Sequence, residues 1–129
     1  MRVLAAFVLA FASSLVQAAP TLAAVRAEIE ALLGKLESSR CEFNRNGGWY
    51  TGTDAKTHLL GKLEYLENGA TTLRSTEQFI ELAATSSSTS GRPYQVKCGA
   101  DPAIPSAVWL KHELAAIRAA RAQSVPAPK

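Results

Sequence analysis

The stretch from Cys41 to Gly52, reading Cys-Glu-Phe-Asn-Arg-Asn-Gly-Gly-Trp-Tyr-Thr-Gly, constrains this chain more than any other. Asn46-Gly47 sits at its centre. A two-residue type I′ turn needs positive φ at both central positions, and Asn-Gly accepts that at little steric cost. Pairing outward from the turn sets Arg45 opposite Gly48, Asn44 opposite Trp49 and Phe43 opposite Tyr50, with Cys41 near Gly52. Side chains alternate across a strand. Cys41, Phe43, Arg45 and Tyr50 therefore share one face, and Glu42, Asn44, Trp49 and Thr51 share the other.

The N-terminus reads as an export signal. Met1-Arg2 gives a short positive start, Val3 to Val16 an apolar run, and Val16-Gln17-Ala18 the small residues a signal peptidase requires, so cleavage is expected after Ala18. The run falls short of the roughly 18 apolar residues a membrane anchor needs. No stable membrane insertion is expected once residues 1–18 are removed, and the product is expected in the periplasm. The formal net charge of +3 loses Arg2 and becomes +2, too small and too scattered for a nucleic-acid stripe. Residues 19–123 are expected to form one domain, and residues 124–129 a disordered tail.

Export makes the two cysteines informative. In an oxidising compartment Cys41 and Cys98 are most simply one disulfide, and they lack the Cys-x-x-Cys spacing of a redox pair.

Around the hairpin the periodicity is helical. Leu22, Val25, Ile29, Leu32, Leu33 and Leu36 recur at three- and four-residue spacing within 21–39, with Arg26, Glu28, Glu30, Lys35 and Glu37 opposite and Thr21 as expected N-cap. A second helix, capped by Thr53, carries Ala55, Leu59, Leu60, Leu63 and Leu66 inward and stops at Asn68-Gly69. Ser75-Thr76-Glu77-Gln78 fits a capping box opening a third helix that buries Phe79, Ile80, Leu82 and Ala83. Pro105-Ser106 begins a fourth, with Trp109, Leu110, Leu114 and Ile117 inward. Between the last two lie a Ser/Thr-rich loop, 85–93, and an alternating strand, Tyr94 to Cys98. Run antiparallel beside Cys41 to Arg45 with Cys98 near Cys41, that strand sets Val96 by Phe43 and Tyr94 by Arg45. The expected fold is α+β, a three-stranded antiparallel sheet with about four helices packed on it and one disulfide.

Phe43, Arg45-Asn46-Gly47, Trp49-Tyr50, Ala55, His58-Leu59 and Lys62 form the first part of a wider pattern. Phe79-Ile80 and Ser86-Ser87-Ser88-x-Ser90-Gly91-x-Pro93-Tyr94-x-Val96 complete it. Together these residues resemble the YfeK-like family of small exported bacterial proteins. The resemblance covers most of the chain after residue 18. It implies a periplasmic domain of unassigned activity and directs attention to Arg45 and the serine loop.

The candidate site follows from that placement. Arg45, Asn46, Ser86, Ser87, Ser88, Ser90, Arg92 and Tyr94 are expected to converge at the turn end of the sheet. They would form a shallow cup of two cations, hydroxyls and amides suited to an anionic or polyhydroxyl ligand. An internally paired Arg45 and a self-bonded loop are the structural alternatives. The function expected is a non-catalytic binding module, its partner an envelope component or a periplasmic protein. The rival is a small hydrolase with a loop serine, Ser88 or Ser90, as nucleophile and His58 as base, oriented by Asp54 or Asp101. No cofactor is expected. No metal is expected either, because His58 and His112 lie on different helices without a ligand cluster. Trp49 faces away from the core, as a contact for a partner or beneath a helix.

Overall fold

The Asn46-Gly47 turn closes as its residues require, with φ of 52° at Asn46 and 84° at Gly47. The structure, a computed structural model, describes residues 21–124; the expected signal peptide with its cut after Ala18, and residues 125–129 of the expected tail, lie outside them. The turn joins β1 (Glu42–Arg45) to β2 (Gly48–Thr51), in the register Glu42–Thr51, Phe43–Tyr50, Asn44–Trp49, Arg45–Gly48. On the other side of β1 runs β3 (Gln95–Lys97), antiparallel, with Phe43 opposite Val96. Cys41 and Cys98 are joined as a disulfide one step beyond, closing a separation of 57 residues. In the chain-entropy account a cross-link over so long a loop contributes about 4 kcal/mol.

The sheet has four strands rather than three. The short β4 (Ile104–Pro105) pairs with β3, giving the order β2-β1-β3-β4. Two residues without alternation carry no readable strand pattern, and only the pairing to β3 defines them. The α+β class stands.

Four helices cover one face of the sheet: α1 (Ala23–Ser38), α2 (Gly52–Glu67), α3 (Thr76–Ala83) and α4 (Ser106–Ser124). Ile29, Leu32, Leu33 and Leu36 of α1, Leu59 and Leu63 of α2, Phe79 and Ile80 of α3 and Leu110 of α4 meet Phe43, Tyr94 and Val96 of the sheet in one core. Ser124, assigned to the tail, is the last residue of α4. No described helix is long and apolar enough to cross a membrane.

Several local expectations change. β2 runs into α2 without an intervening residue, so Thr51, still extended, caps α2 by accepting from the Asp54 amide at 3.2 Å, and Thr53 lies inside the helix. Leu22, not Thr21, occupies the N-cap of α1, and the Thr21 hydroxyl donates to Glu67 at 3.0 Å. In α3 the inward stripe is Thr76, Phe79, Ile80 and Ala83, which leaves Leu82 47% exposed. Ser75 caps that helix as expected, accepting from the Gln78 amide, while Gln78 reaches past it to the Arg74 amide.

The largest departure is Glu28, placed on the outer face of α1 by its type and buried in fact. Arg118 donates to it at 2.7 Å, Thr76 at 2.5 Å, and Arg121 also binds it. The Arg118 hydrogen bond, above all, holds its carboxyl down at about 2 from an ordinary 4.5, against the opposing effect of burial. The zero-length junction has its own requirement. A Cβ on Gly52 would stand 2.3 Å from the Leu36 carbonyl, so only glycine lets α2 start against the end of α1.

Two outcomes are expected. Gly52→Ala forces α1 and α2 apart and lowers unfolding stability by about 2 kcal/mol or more in chemical denaturation. Glu28 ionises below its unfolded value, so its contribution is complete above pH 4.5 and is lost as pH falls towards 2. Glu28→Gln therefore lowers stability at pH 7 by on the order of 2–3 kcal/mol and flattens the acid limb of the stability–pH curve relative to wild type.

Candidate functional site

The geometry of the site follows from the sheet register. Arg45 ends β1 on its inner face, and Tyr94, just before β3, is held beside it and packs on Phe43 with ring centroids 5.0 Å apart. Beneath them runs α2, where His58 and Lys62 lie one turn apart and so share a face. Arg45 Nη1 stands 3.2 Å from His58 Nδ1, and His58 Nε2 stands 3.1 Å from the Tyr94 hydroxyl. Lys62 Nζ donates to the same hydroxyl and to the Ser86 carbonyl, both at 3.1 Å.

The direction of these bonds is fixed by chemistry. A guanidinium only donates, so His58 Nδ1 accepts, the ring proton sits on Nε2, and Nε2 donates to Tyr94. The Tyr94 oxygen thus receives two donors and its own proton is left to donate. Arg45, through His58, and Lys62 both donate towards Tyr94, and Lys62 donates also to the Ser86 carbonyl.

Its charge is one-sided. Among the described residues neither Arg45 nor Lys62 has a carboxylate at salt-bridge distance; the ion pairs are made elsewhere, by Arg26, Lys56, His112, Arg118 and Arg121. Burial and then the Arg45 charge push the Lys62 ammonium below its ordinary value. Burial, then Arg45 and Lys62, push His58 below 6.5, so the ring is neutral at pH 7. Burial raises the Tyr94 phenol. Arg45 also lies 5.1 Å from the centroid of Tyr50, a cation–π contact that holds it at the sheet edge.

Of the expected cup, the structure brings Arg45, Asn46, Ser87, Ser88 and Tyr94 together around a depression of about 240 Å³, joined there by His58, Lys62 and Thr89. Ser87, Thr89 and Ser90 use their hydroxyls within the loop, and Thr85 donates back to the Ile80 carbonyl. Ser87 is buried and accepts from Asn46 Nδ2 and the Ser90 amide, while Ser90 donates to Asn46 Oδ1 at 2.6 Å. This tie between loop and turn makes Asn46, Ser87 and Ser90 builders of the wall. Ser88 and Thr89 are exposed and line the depression, the Thr89 hydroxyl being already paired with Ser87. Ser86 contributes its carbonyl, to Lys62. The Arg92 guanidinium lies against Gly47 of the turn and does not line the depression. Lys62 is the residue the candidate set lacked. The signal was its spacing of four from His58, both flanking the inward stripe of Ala55, Leu59 and Leu63.

A serine–histidine hydrolase needs a ring nitrogen free to take the serine proton and a carboxylate on the other nitrogen. Here one nitrogen accepts from Arg45 and the other donates to Tyr94, so a cation stands where the orienting carboxylate would be. Asp54 lines a neighbouring depression with Arg45, Tyr50 and His58 but makes no hydrogen bond to His58, and Asp101 lies with His112 beside the disulfide. Trp49 is 42% exposed on the uncovered face of the sheet.

No curated protein and no solved structure matches the chain. One family model does, over residues 23–118, a span that takes in both cysteines and the whole Arg45–His58–Tyr94–Lys62 network. The chain belongs to that family, DUF5329, whose description is a family of unknown function.

Proposed function

We propose that this protein is a non-catalytic binding module for a small anionic ligand, held by Arg45, Lys62, the Tyr94 hydroxyl and Ser88. The observation that carries this reading is the pair of half-buried cations with no carboxylate at salt-bridge distance, whose hydrogen bonds converge on the Tyr94 hydroxyl and leave its proton to donate. Two like charges drawn together and partly desolvated weaken one another, and a bound oxyanion relieves both effects. Arg45 and Lys62 keep donors to spare after the bonds they make inside the protein. Hydroxyls at the rim suit a ligand that is also hydroxylated, such as an envelope fragment.

The setting we propose is the periplasm, after cleavage behind Ala18. The signal-like N-terminus, the disulfide, which belongs to oxidising compartments, and the resemblance to YfeK-like exported proteins support it.

The two histidines of the sequence make the test internal. His112, with its side chain 82% exposed, serves as control for His58. An anion at the site offsets the Arg45 and Lys62 charges, so adding acetate or sulfate is expected to raise the His58 pKa towards 6.5 in an NMR titration, while the anion-dependent shift changes seen at His58 are absent from the His112 resonances. Lys62→Gln and Arg45→Ala abolish the response while keeping stability within about 1 kcal/mol of wild type. A wild-type His58 indifferent to both anions, with Arg45→Ala destabilised by about 3 kcal/mol or more, would make Arg45 a structural residue and end this reading.

A further inference from the structure

The anion site opens into a second depression that its own chemistry does not use. His58, Lys62 and Ser88 line both, but the second, of about 480 Å³, continues between α2 and α3 and is walled by Gly61, Tyr65, Leu66 and Leu82. Tyr65 is 80% exposed and Leu82 47% exposed, two large apolar side chains side by side on one groove. From His58 to Leu66 the groove follows α2 for about 12 Å. Beyond Tyr65 and Leu66 a further depression reaches Asn68 and Thr71. The wall leaves space at Gly61, where a Cβ would meet nothing within 4 Å.

A cationic head site continuous with an apolar groove selects for the shape of its occupant. We infer that the ligand is a single-chain anionic amphiphile, its head at Arg45, Lys62 and Ser88 and its hydrocarbon tail between α2 and α3. This rests on the anion-binding reading of the head site and adds the tail. Charge complementarity fixes which end lies where, since the cations stand at one end of the groove only. The walls favour hydrocarbon over an extended peptide. They are helices whose amides are bonded internally, so a peptide main chain would lie there without partners, whereas an alkyl chain needs none. The size suits a monomer taken from water rather than a membrane surface, which would require a broad apolar face flanked by cations.

Decanoate below its micelle concentration, compared with acetate, tests the tail separately from the head. Both are followed through the His58 resonances and by calorimetry. Burying about four methylenes is enough for decanoate to bind wild type about a hundredfold more tightly than acetate. Gly61→Leu sets a side chain into the groove from a Cβ position that meets nothing within 4 Å, and leucine suits a helix better than glycine, so the variant is expected to fold. It is expected to bring decanoate down to the affinity of acetate and to leave acetate unchanged. Equal binding of the two anions to wild type, or a Gly61→Leu variant that still prefers decanoate, overturns the amphiphile and leaves the anion site standing. Failure of both anions to reach His58 overturns the anion site as well. Tight binding to anionic phospholipid vesicles that Gly61→Leu does not diminish would assign the surface to a membrane instead.

Discussion

The cross-link between Cys41 and Cys98 fixes where β3 lies on β1, and most of the rest depends on that register. With the cysteines joined at one end, alternation brings Val96 to Phe43 and carries Tyr94 to the level of Arg45 at the other. A slip of one residue would turn Tyr94 and Val96 outward and leave Phe43 without partners. The hairpin turn fixes β2 on the opposite side of β1 in the same manner, and the direct junction at Gly52 then lays α2 beneath the pair. His58 and Lys62 come to Arg45 and Tyr94 by that route.

Two polar clusters at half-buried positions show opposite logic. Around Glu28 the charges balance: one carboxylate is met by two arginines and a threonine, and Arg118 turns also to Glu77. Such a cluster ties α1, α3 and α4 together and is complete in itself. Around Arg45 they do not balance. Two cations, a neutral imidazole and a phenol are packed together with donors left over, which costs stability unless something outside the fold compensates. That contrast is why the second cluster, and not the first, is the one we propose as a binding site.

The serine loop, 85–93, illustrates how a polar segment becomes structure. Its hydroxyls bond to Asn46 and to its own amides, the Ser86–Pro93 bridge closes its neck, and Ser87 is buried as its hub. The loop thereby stiffens the rim and offers the depression chiefly Ser88 and the Ser86 carbonyl that steadies Lys62.

The hairpin, its register, the pairing of Cys41 with Cys98 and the inner faces of Phe43, Arg45, Tyr94 and Val96 were legible in the sequence. Each rests on a local rule, the turn chemistry of Asn-Gly or the two-residue period of a strand. The helices were legible for the same reason, through their apolar spacing. The caps were less so. Thr51 and Thr53 are equally good hydroxyls, and only the abrupt end of β2 selects the first. Glu28 shows the limit of reading a face by polarity, because a carboxylate goes inside when arginines ninety residues away arrive to meet it. Lys62 belongs to the site for a similar reason. Nothing along the chain says that its ammonium meets Tyr94 and Ser86, whereas Arg92, an equally basic residue in the expected loop, ends against Gly47 of the turn and outside the depression. Local sequence fixed the elements and their faces, since backbone geometry acts over a few residues. Which charges were balanced by a carboxylate and which were left without one was decided only by long-range packing.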